Sequence, residues 1–204
     1  MTLDRKDIIT KFGDAYVANE QTYMMGIDLR FTSHIAERFK GQRVLETCTG
    51  AGFTTIALAK EAAHVVTIEL NSLHQEQAHK NIKKAGLLGR VTFVAGDALD
   101  HKILKNAYPF DSAFLDPDWA VTGPQHVYMF RESNTYPPAD KLLEEVLEFT
   151  PNTALVLPPF IDICELAGIP AHERQALYFG KNQELYCLYF GNLACTNGPT
   201  ELRL

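Results

Sequence analysis

The chain has 204 residues, of which 46% are hydrophobic and 22% charged, and its formal net charge is −6. This length fits one domain with a full-sized core, and the composition is ordinary for a soluble globular protein. The acidic balance argues against a long nucleic-acid footprint but not against a small or terminal nucleotide target. No run approaches the roughly 20 apolar residues that span a bilayer, so no membrane partner is expected.

The cysteines and histidines give no sign of a metal site. The four cysteines lie far apart, without a CxxC pair or a histidine at ligand spacing. Reduced thiols and a charged N-terminus without a signal-like apolar run favour a cytoplasmic location. Cys48 has no recognisable base beside it and is expected to be a packing residue. His74 and His79 lie in a polar segment and are expected at the surface.

Short apolar runs alternate with helix-like segments along most of the chain. Residues 1–40 are predicted to form a helical extension, followed by a core over residues 41–204 of a single domain. Strands are predicted at residues 43–46, 64–69, 91–95, 112–115, 154–157, 175–179 and 185–190. The alternation indicates right-handed βαβ units, and the short loop between the last two strands indicates an antiparallel hairpin. We therefore expect a Rossmann-like α/β fold whose seven-stranded, mostly parallel sheet ends in that hairpin.

Acidic residues follow the first three predicted strands, where ligands bind in open α/β sheets. Glu46 closes the first strand and leads into Gly50-Ala51-Gly52, whose glycines allow a tight turn close to a ligand. Glu69 closes the second strand, where a carboxylate can accept both hydroxyls of a ribose. Asp97 follows the third strand and can accept a hydrogen bond from an adenine amino group. The predicted nucleoside site also includes three neighbours: Thr47, Phe53 and Ala98.

The glycine pattern alone does not choose between NAD and S-adenosylmethionine (SAM). A dinucleotide fingerprint needs a third glycine, and position 55 is Thr55. No Lys-Ser/Thr pair follows the glycines, so a phosphate-binding Walker loop is absent. SAM carries a sulfonium and no phosphate, which suits a site with three carboxylates. Together with Asp97 and the terminal hairpin, these features favour SAM.

A candidate substrate motif, Asp116-Pro117-Asp118-Trp119, follows the fourth predicted strand. Amino-group methyltransferases place an (Asp/Asn/Ser)-Pro-Pro-aromatic motif at this position. The Asp116 carboxylate and the Pro117 carbonyl can accept N–H bonds of an exocyclic amine and direct its lone pair at the methyl group. Trp119 can stack on the base, a contact worth about 1–3 kcal/mol. The alternative is a turn started by Pro117, with Trp119 as a core anchor.

The chain resembles the trimethylguanosine synthase family of RNA cap guanine-N2 methyltransferases, which are class I SAM-dependent enzymes. The matching stretches are residues 11–14, 26–27, 32–36, 44–52, 116–119, 157–158 with Asp162, and 189–193. The resemblance implies that Glu69 holds the SAM ribose and that Trp119 stacks on a guanine. It also implies that the N-terminal helices help to close both sites.

Two departures from that family leave the substrate open. Asp118 stands in place of the family's second proline, and Pro159 in place of an arginine that often follows Leu-Pro. Both changes remove features suited to an anionic, capped RNA. Transfer to a small-molecule or protein amine and a non-catalytic SAM-binding module are the alternatives. Residues 120–138 are expected to form a lid, and Arg30, His34 and Arg38 a basic helix face.

Overall fold

The computed structural model describes residues 4–119 and 128–204, which group into two compact units, Met1–Asp111 and Ser112–Leu204. The boundary between the units therefore falls within the predicted core rather than at residue 40, and the single domain stays a prediction. Within the described ranges, no helix has the length and apolar character that crossing a membrane requires.

The first unit begins with three short helices, which confirms the predicted helical extension. They are α1 (Arg5–Phe12), α2 (Glu20–Met25) and α3 (Leu29–Ala36). Each begins at a side-chain cap, from Asp4, Asn19 and Asp28 respectively. Such caps satisfy backbone N–H groups that the first helical turn leaves without partners.

Three neighbouring parallel strands follow in the same unit. Its strands are β1 (Arg43–Thr47), β2 (His64–Glu69) and β3 (Val91–Ala95), in the order β3-β2-β1. The connecting and following helices are α4 (Phe53–Glu61), α5 (Ser72–Lys84) and α6 (His101–Ala107). Strand β2 is buried along most of its length, and its sequence is rich in β-branched residues, as is typical of buried parallel strands. The parallel order brings the carboxyl ends of the three strands to one edge.

The second unit combines a parallel pair with an antiparallel hairpin. Its elements are β4 (Ser112–Leu115), α7 (Ala139–Leu147), β5 (Thr153–Leu157), β6 (His172–Phe179), β7 (Asn182–Phe190) and β8 (Gly198–Arg203). Strands β4 and β5 are parallel, whereas β7 is antiparallel to both β5 and β6. The predicted hairpin is confirmed.

The described residues form eight strands, one more than the seven that the sequence predicted. Strand β8 pairs in parallel with β6. The buried carboxylate of Glu173 on β6 accepts hydrogen bonds from the Cys195 N–H at 2.8 Å and the Thr200 hydroxyl at 2.7 Å. A side chain from β6 therefore holds the segment that forms the added strand.

Candidate functional site

The glycine turn, residues 46–52, connects β1 to α4 through a left-handed backbone. Cys48, Gly50 and Gly52 have φ angles of 62°, 54° and 80°. The Cys48 N–H donates to the Ile68 carbonyl at 2.9 Å, which fixes the turn against the end of β2. Cys48 holds this conformation although it is not a glycine, at a cost of about 1–2 kcal/mol.

The two positions of the turn are glycine for different structural reasons. A Cβ at Gly52 would lie 3.0 Å from the Ala78 Cβ and 3.1 Å from the Ala78 Cα, so Gly52 lets the turn pack on α5. A Cβ at Gly50 would meet no atom of the described residues within 4 Å. Gly50 therefore borders open space, and this is where a ligand can approach the backbone.

Glu69 joins the end of β2 to the glycine turn. Its Oε2 accepts the Gly50 N–H at 2.9 Å, and its Oε1 accepts the Asn71 N–H at 2.8 Å. The residue is buried, so both bonds hold the carboxylate in a fixed orientation. A carboxylate offers about four acceptor sites, and these two bonds leave capacity for ribose hydroxyls.

Glu46 lies inside the protein beneath the turn, with 1% of its surface exposed. Its Oε2 accepts the Thr55 hydroxyl at 2.6 Å. Burial raises the pKa of Glu46 to about 7, although hydrogen bonds from Thr55 and Thr67 oppose the rise, and the nearby charge of Glu69 adds to it. Glu46 therefore supports the turn from inside the protein, and its contact with the cofactor stays a prediction.

Thr47 lies within the turn and Phe53 directly follows it, and both residues are buried. The Thr47 hydroxyl has no hydrogen-bond partner within residues 4–119 and 128–204. Phe53 stacks on Phe12 of α1, with ring centroids 3.6 Å apart and planes 10° from parallel. The ring of Phe53 is thus an anchor for the N-terminal helices, a role that its position after the glycines did not reveal.

The Asp97 loop lies beside Glu69, because the Gly96 N–H donates to the Glu69 carbonyl at 3.0 Å. Asp97 is exposed, and its Oδ1 accepts the Leu99 N–H at 2.9 Å. Ala98 is buried directly after it. The structure therefore brings the predicted residues at the ends of β2 and β3 to one place.

Two residues near Glu69 differ from expectation or were missed. His74 is buried, with its Nδ1 3.9 Å from the Glu69 Oε1, so the prediction that it lies at the surface is wrong. The first turn of α5 folds this ring back towards the end of β2. Leu70, which follows Glu69, has 55% of its surface exposed and offers an apolar surface beside the carboxylate. The sequence offered one indication that Leu70 belongs to the site, namely its position directly after Glu69.

In the second unit, the substrate motif follows β4 directly. Asp116 is half-buried and Pro117 buried. Asp118 and Tyr136 form an isolated antiparallel bridge, in which each N–H donates to the other's carbonyl at 2.8 Å. The loop carrying Trp119 is therefore tied to the segment ahead of α7.

Trp119 is half-buried and packs edge-on against Tyr128, with ring centroids 6.2 Å apart. The Tyr128 hydroxyl also donates to the Trp119 carbonyl. Burial first, and then the nearby Asp118 carboxylate, raise the pKa of the Tyr128 hydroxyl. The charge of Asp118 therefore acts on the Tyr128 hydroxyl, beside Trp119.

The remainder of the predicted lid is partly described. Residues 120–127 lie outside the described residues. Past them, the Glu165 Oε2 accepts the Phe130 N–H at 2.5 Å and the Arg131 N–H at 3.0 Å. This segment is therefore held by the 3₁₀ turn Ile163–Leu166, which follows β5.

Two solved structures share this architecture. A putative methyltransferase from Porphyromonas gingivalis W83 aligns with a TM-score of 0.75 at 19% identity, covering 91% of this chain and 47% of that one. The O-methyltransferase TomG from Streptomyces achromogenes, solved in complex with SAM, aligns with a TM-score of 0.58 at 18% identity, covering 86% and 92%. These alignments confirm the predicted fold, which is that of class I SAM-dependent methyltransferases.

The particular family follows from a match over most of the chain. The family model for RNA cap guanine-N2 methyltransferase matches residues 41–190, and the chain belongs to this family. A catechol O-methyltransferase from Mycobacterium tuberculosis is 40% identical over 92 residues, which are 44% of this chain and 42% of that one. The chain therefore matches less than half the length of this relative and of the P. gingivalis protein.

Proposed function

We propose that this protein transfers a methyl group from SAM to an exocyclic amine of a base, the guanine N2 in RNA. The observation that carries the proposal is the open space over Gly50, bordered by the fixed carboxylate of Glu69, in a chain of this family. SAM supplies an activated methyl group on a sulfonium, so the protein's contribution is chiefly positioning.

The residues around the glycine turn fit the parts of the cofactor. Glu69 retains acceptor capacity for the ribose hydroxyls, and exposed Asp97 can accept the adenine amino group. Leu70 offers an apolar surface for the adenine ring. Glu46 contributes through its buried carboxyl, which accepts the Thr55 hydroxyl and so supports the turn.

The motif after β4 provides the groups for the methyl acceptor. Asp116 and the Pro117 carbonyl accept the N–H bonds of the amine, which directs its lone pair towards the methyl carbon. Bound SAM would supply the methyl group and leave as S-adenosylhomocysteine, and the proton released from the nitrogen would pass to the Asp116 carboxylate or to solvent. The half-buried Trp119, steadied by Tyr128, supplies a face on which the base stacks.

The charge of the chain supports a short or terminal RNA target. Arg30, one residue of the predicted basic helix face, already binds both oxygens of Asp28, at 2.8 and 2.7 Å. This pairing and the net charge of −6 disfavour a long contact with phosphates. A small-molecule acceptor is the second candidate, which the absence of an arginine at Pro159 and the catechol O-methyltransferase relative favour.

The first experiment measures SAM and S-adenosylhomocysteine binding by calorimetry. We expect saturable binding of both, and no binding at high micromolar concentration would overturn the proposal. Labelled methyl transfer to total RNA, metabolite and protein fractions then identifies the acceptor. Label in RNA guanine supports the proposal, label only in another fraction replaces the substrate, and binding without transfer to any fraction indicates a non-catalytic module.

Trp119 variants test the stacking role. Trp119→Ala should lower the transfer rate by about tenfold or more with SAM affinity unchanged, since one stacked base is worth about 1–3 kcal/mol. Trp119→Phe keeps an aromatic face and should retain most of the rate. Equal rates for the wild type and Trp119→Ala would show that Trp119 is a core anchor only.

A further inference from the structure

Asn81, on α5, uses its whole side-chain amide to connect two backbone segments. Its Oδ1 accepts the Val17 N–H at 2.6 Å, and its Nδ2 donates to the Val17 carbonyl at 2.8 Å and the Ala51 carbonyl at 2.9 Å. The residue has 0% of its surface exposed. Both N–H donors and the oxygen are therefore engaged where water cannot replace them.

The first segment is the N-terminal strap, residues 13–19, which connects α1 to α2 and forms neither helix nor strand. Side chains of α5 supply the bonds that regular structure would give it. Besides Asn81, Lys84 donates to the Ala15 carbonyl at 2.6 Å and lies 3.0 Å from the Asp14 carboxylate. The strap is thus held on α5 at two points.

The second segment is the glycine turn itself. Ala51 lies between the two left-handed glycines, and its carbonyl belongs to the peptide bond with Gly52. A hydrogen bond to this carbonyl therefore holds the backbone one residue past Gly50. The Gly50 N–H donates to Glu69, and Gly52 lies so close to α5 that a Cβ there would be 3.0 Å from the Ala78 Cβ. The turn thus contacts Glu69 through Gly50 and α5 through Gly52. Asn81 holds Ala51, the residue between these two glycines.

A second contact links the helices around the strap to the end of the turn. Phe12, the last residue of α1, stacks on Phe53, and Gly26 packs so closely on this pair that a Cβ there would lie 2.7 Å from the Phe53 ring. The stack is apolar and tolerates sliding, whereas the hydrogen bonds of Asn81 have a fixed direction. Asn81 is therefore the contact that can transmit order from strap to turn.

We propose that Asn81 is a positioning residue that couples the N-terminal strap to the glycine turn, so that an ordered strap raises the affinity of the turn for SAM. The inference rests on the proposed function, since it assigns SAM to this turn. Coupling between two sites is reciprocal, so SAM binding must in turn stabilise the strap. Asn81 thus serves the cofactor site from a fully buried position.

The test compares three variants on one helix by calorimetry with SAM. Asn81→Asp keeps the shape and the Oδ1 acceptor but replaces the amide donor, and should weaken SAM binding about tenfold. Lys84→Ala loosens only the strap and should weaken it about threefold, with no further loss in the Asn81→Asp background. Lys80→Ala removes an exposed ion pair with Glu76 and should leave the affinity unchanged.

Hydrogen exchange supplies the readout that a purely structural role would not move. Saturating SAM should slow exchange of the strap amides, Val17 above all, in the wild type and not in Asn81→Asp. A folded Asn81→Asp protein with wild-type SAM affinity would overturn the inference and leave the proposed function intact. If that variant does not fold, unchanged Val17 exchange in the SAM-bound wild type overturns it, whereas a wild type that binds no SAM removes the proposed function as well.

Discussion

The Oε2 of Glu46 accepts the Thr55 hydroxyl at 2.6 Å beneath the glycine turn, which makes a fully buried carboxyl part of the turn's foundation. The Thr67 hydroxyl also bonds to the Glu46 carboxyl, and it lies 2.5 Å from the hydroxyl of Thr49. The ordinary reading of an acid at this strand end is a ligand contact. Here the hydroxyls of Thr55 and Thr67 bond to the buried carboxyl, so its ionisation is linked to folding.

Glu46 should make the protein less stable as the pH rises from about 4.5 to about 7. Its pKa in the folded chain is raised from 4.5 to about 7. Between these values the unfolded chain releases the proton and the folded chain retains it, so unfolding becomes easier with rising pH. At 1.36 kcal/mol per pH unit, the loss approaches about 3 kcal/mol and levels off above pH 7.

The variant Glu46→Gln keeps the shape of the neutral carboxyl and cannot ionise. Urea unfolding at pH 5 and pH 8 should therefore show a smaller loss of stability for Glu46→Gln than for the wild type. Glu76→Gln is the matched control, because that exposed carboxylate pairs with Lys80 at the surface. This substitution should change the loss of stability between pH 5 and pH 8 only slightly. The same pH dependence in wild type and Glu46→Gln would contradict the assignment.

Alanine at the two glycines of the turn should separate folding from ligand binding. Gly52→Ala forces a Cβ onto Ala78 in a left-handed conformation, and should cost about 3 kcal/mol of stability. Gly50→Ala meets open space, so only about 1 kcal/mol of backbone strain is expected. Its added methyl group enters the proposed cofactor space and should weaken SAM binding more than tenfold.

Thermal unfolding and calorimetry on both proteins check this division. A Gly50→Ala protein that binds SAM as tightly as the wild type would show that the ligand does not approach the turn at this residue. A Gly52→Ala protein of wild-type stability would show that α5 can move away from the turn.

Glu69→Ala should weaken SAM binding about tenfold or more, because a charge-assisted hydrogen bond contributes about 1.5–3 kcal/mol. The substitution also frees the Gly50 and Asn71 N–H groups, so Glu69→Gln provides the closer comparison. Its amide oxygen can still accept one backbone bond, and the loss of affinity should lie between those of the wild type and Glu69→Ala. Unaltered affinity in both variants would mean that the ribose lies elsewhere.

Local patterns in the sequence predicted the strands well. The prediction of a strand over residues 64–69 is confirmed residue for residue, and Asn71 caps α5 by accepting the Leu73 and His74 N–H groups. These features depend on neighbours in the chain, namely a β-branched run and a capping side chain. The placement of Glu69 at the glycine turn also follows, because parallel strands end at one edge.

Contacts between distant parts of the chain escaped prediction. Asn81 reaches Val17 across 64 residues, and in a polar helix nothing marks it as buried. His74 was misplaced for the same reason, since the fold around Glu69 decides its burial. Strand β8 has an alternating pattern of half-buried and exposed residues that is weak in hydrophobic character, and the buried Glu173 on β6 holds the chain that leads to it. Such features depend on tertiary partners, which a single sequence does not display.

Asp118 should repel phosphate while supporting the loop that carries Trp119. Its N–H donates to the Tyr136 carbonyl at 2.8 Å, a bond that proline, the family's residue at this position, cannot make. Asp118→Asn keeps the bond and removes the charge, and should lower the KM for an RNA acceptor about two- to fivefold without changing kcat. The gain should shrink at high salt, where surface charges are screened.

Asp118→Pro completes the comparison, because it removes both the charge and the N–H. It should destabilise the protein by about 1–3 kcal/mol, as the Tyr136 carbonyl loses its partner. A lower KM in Asp118→Asn together with lower stability in Asp118→Pro would show that the charge tunes the acceptor and the backbone bond steadies Trp119. An unchanged KM for RNA in Asp118→Asn at low salt would instead favour an uncharged small-molecule acceptor, for which the carboxylate carries no electrostatic penalty.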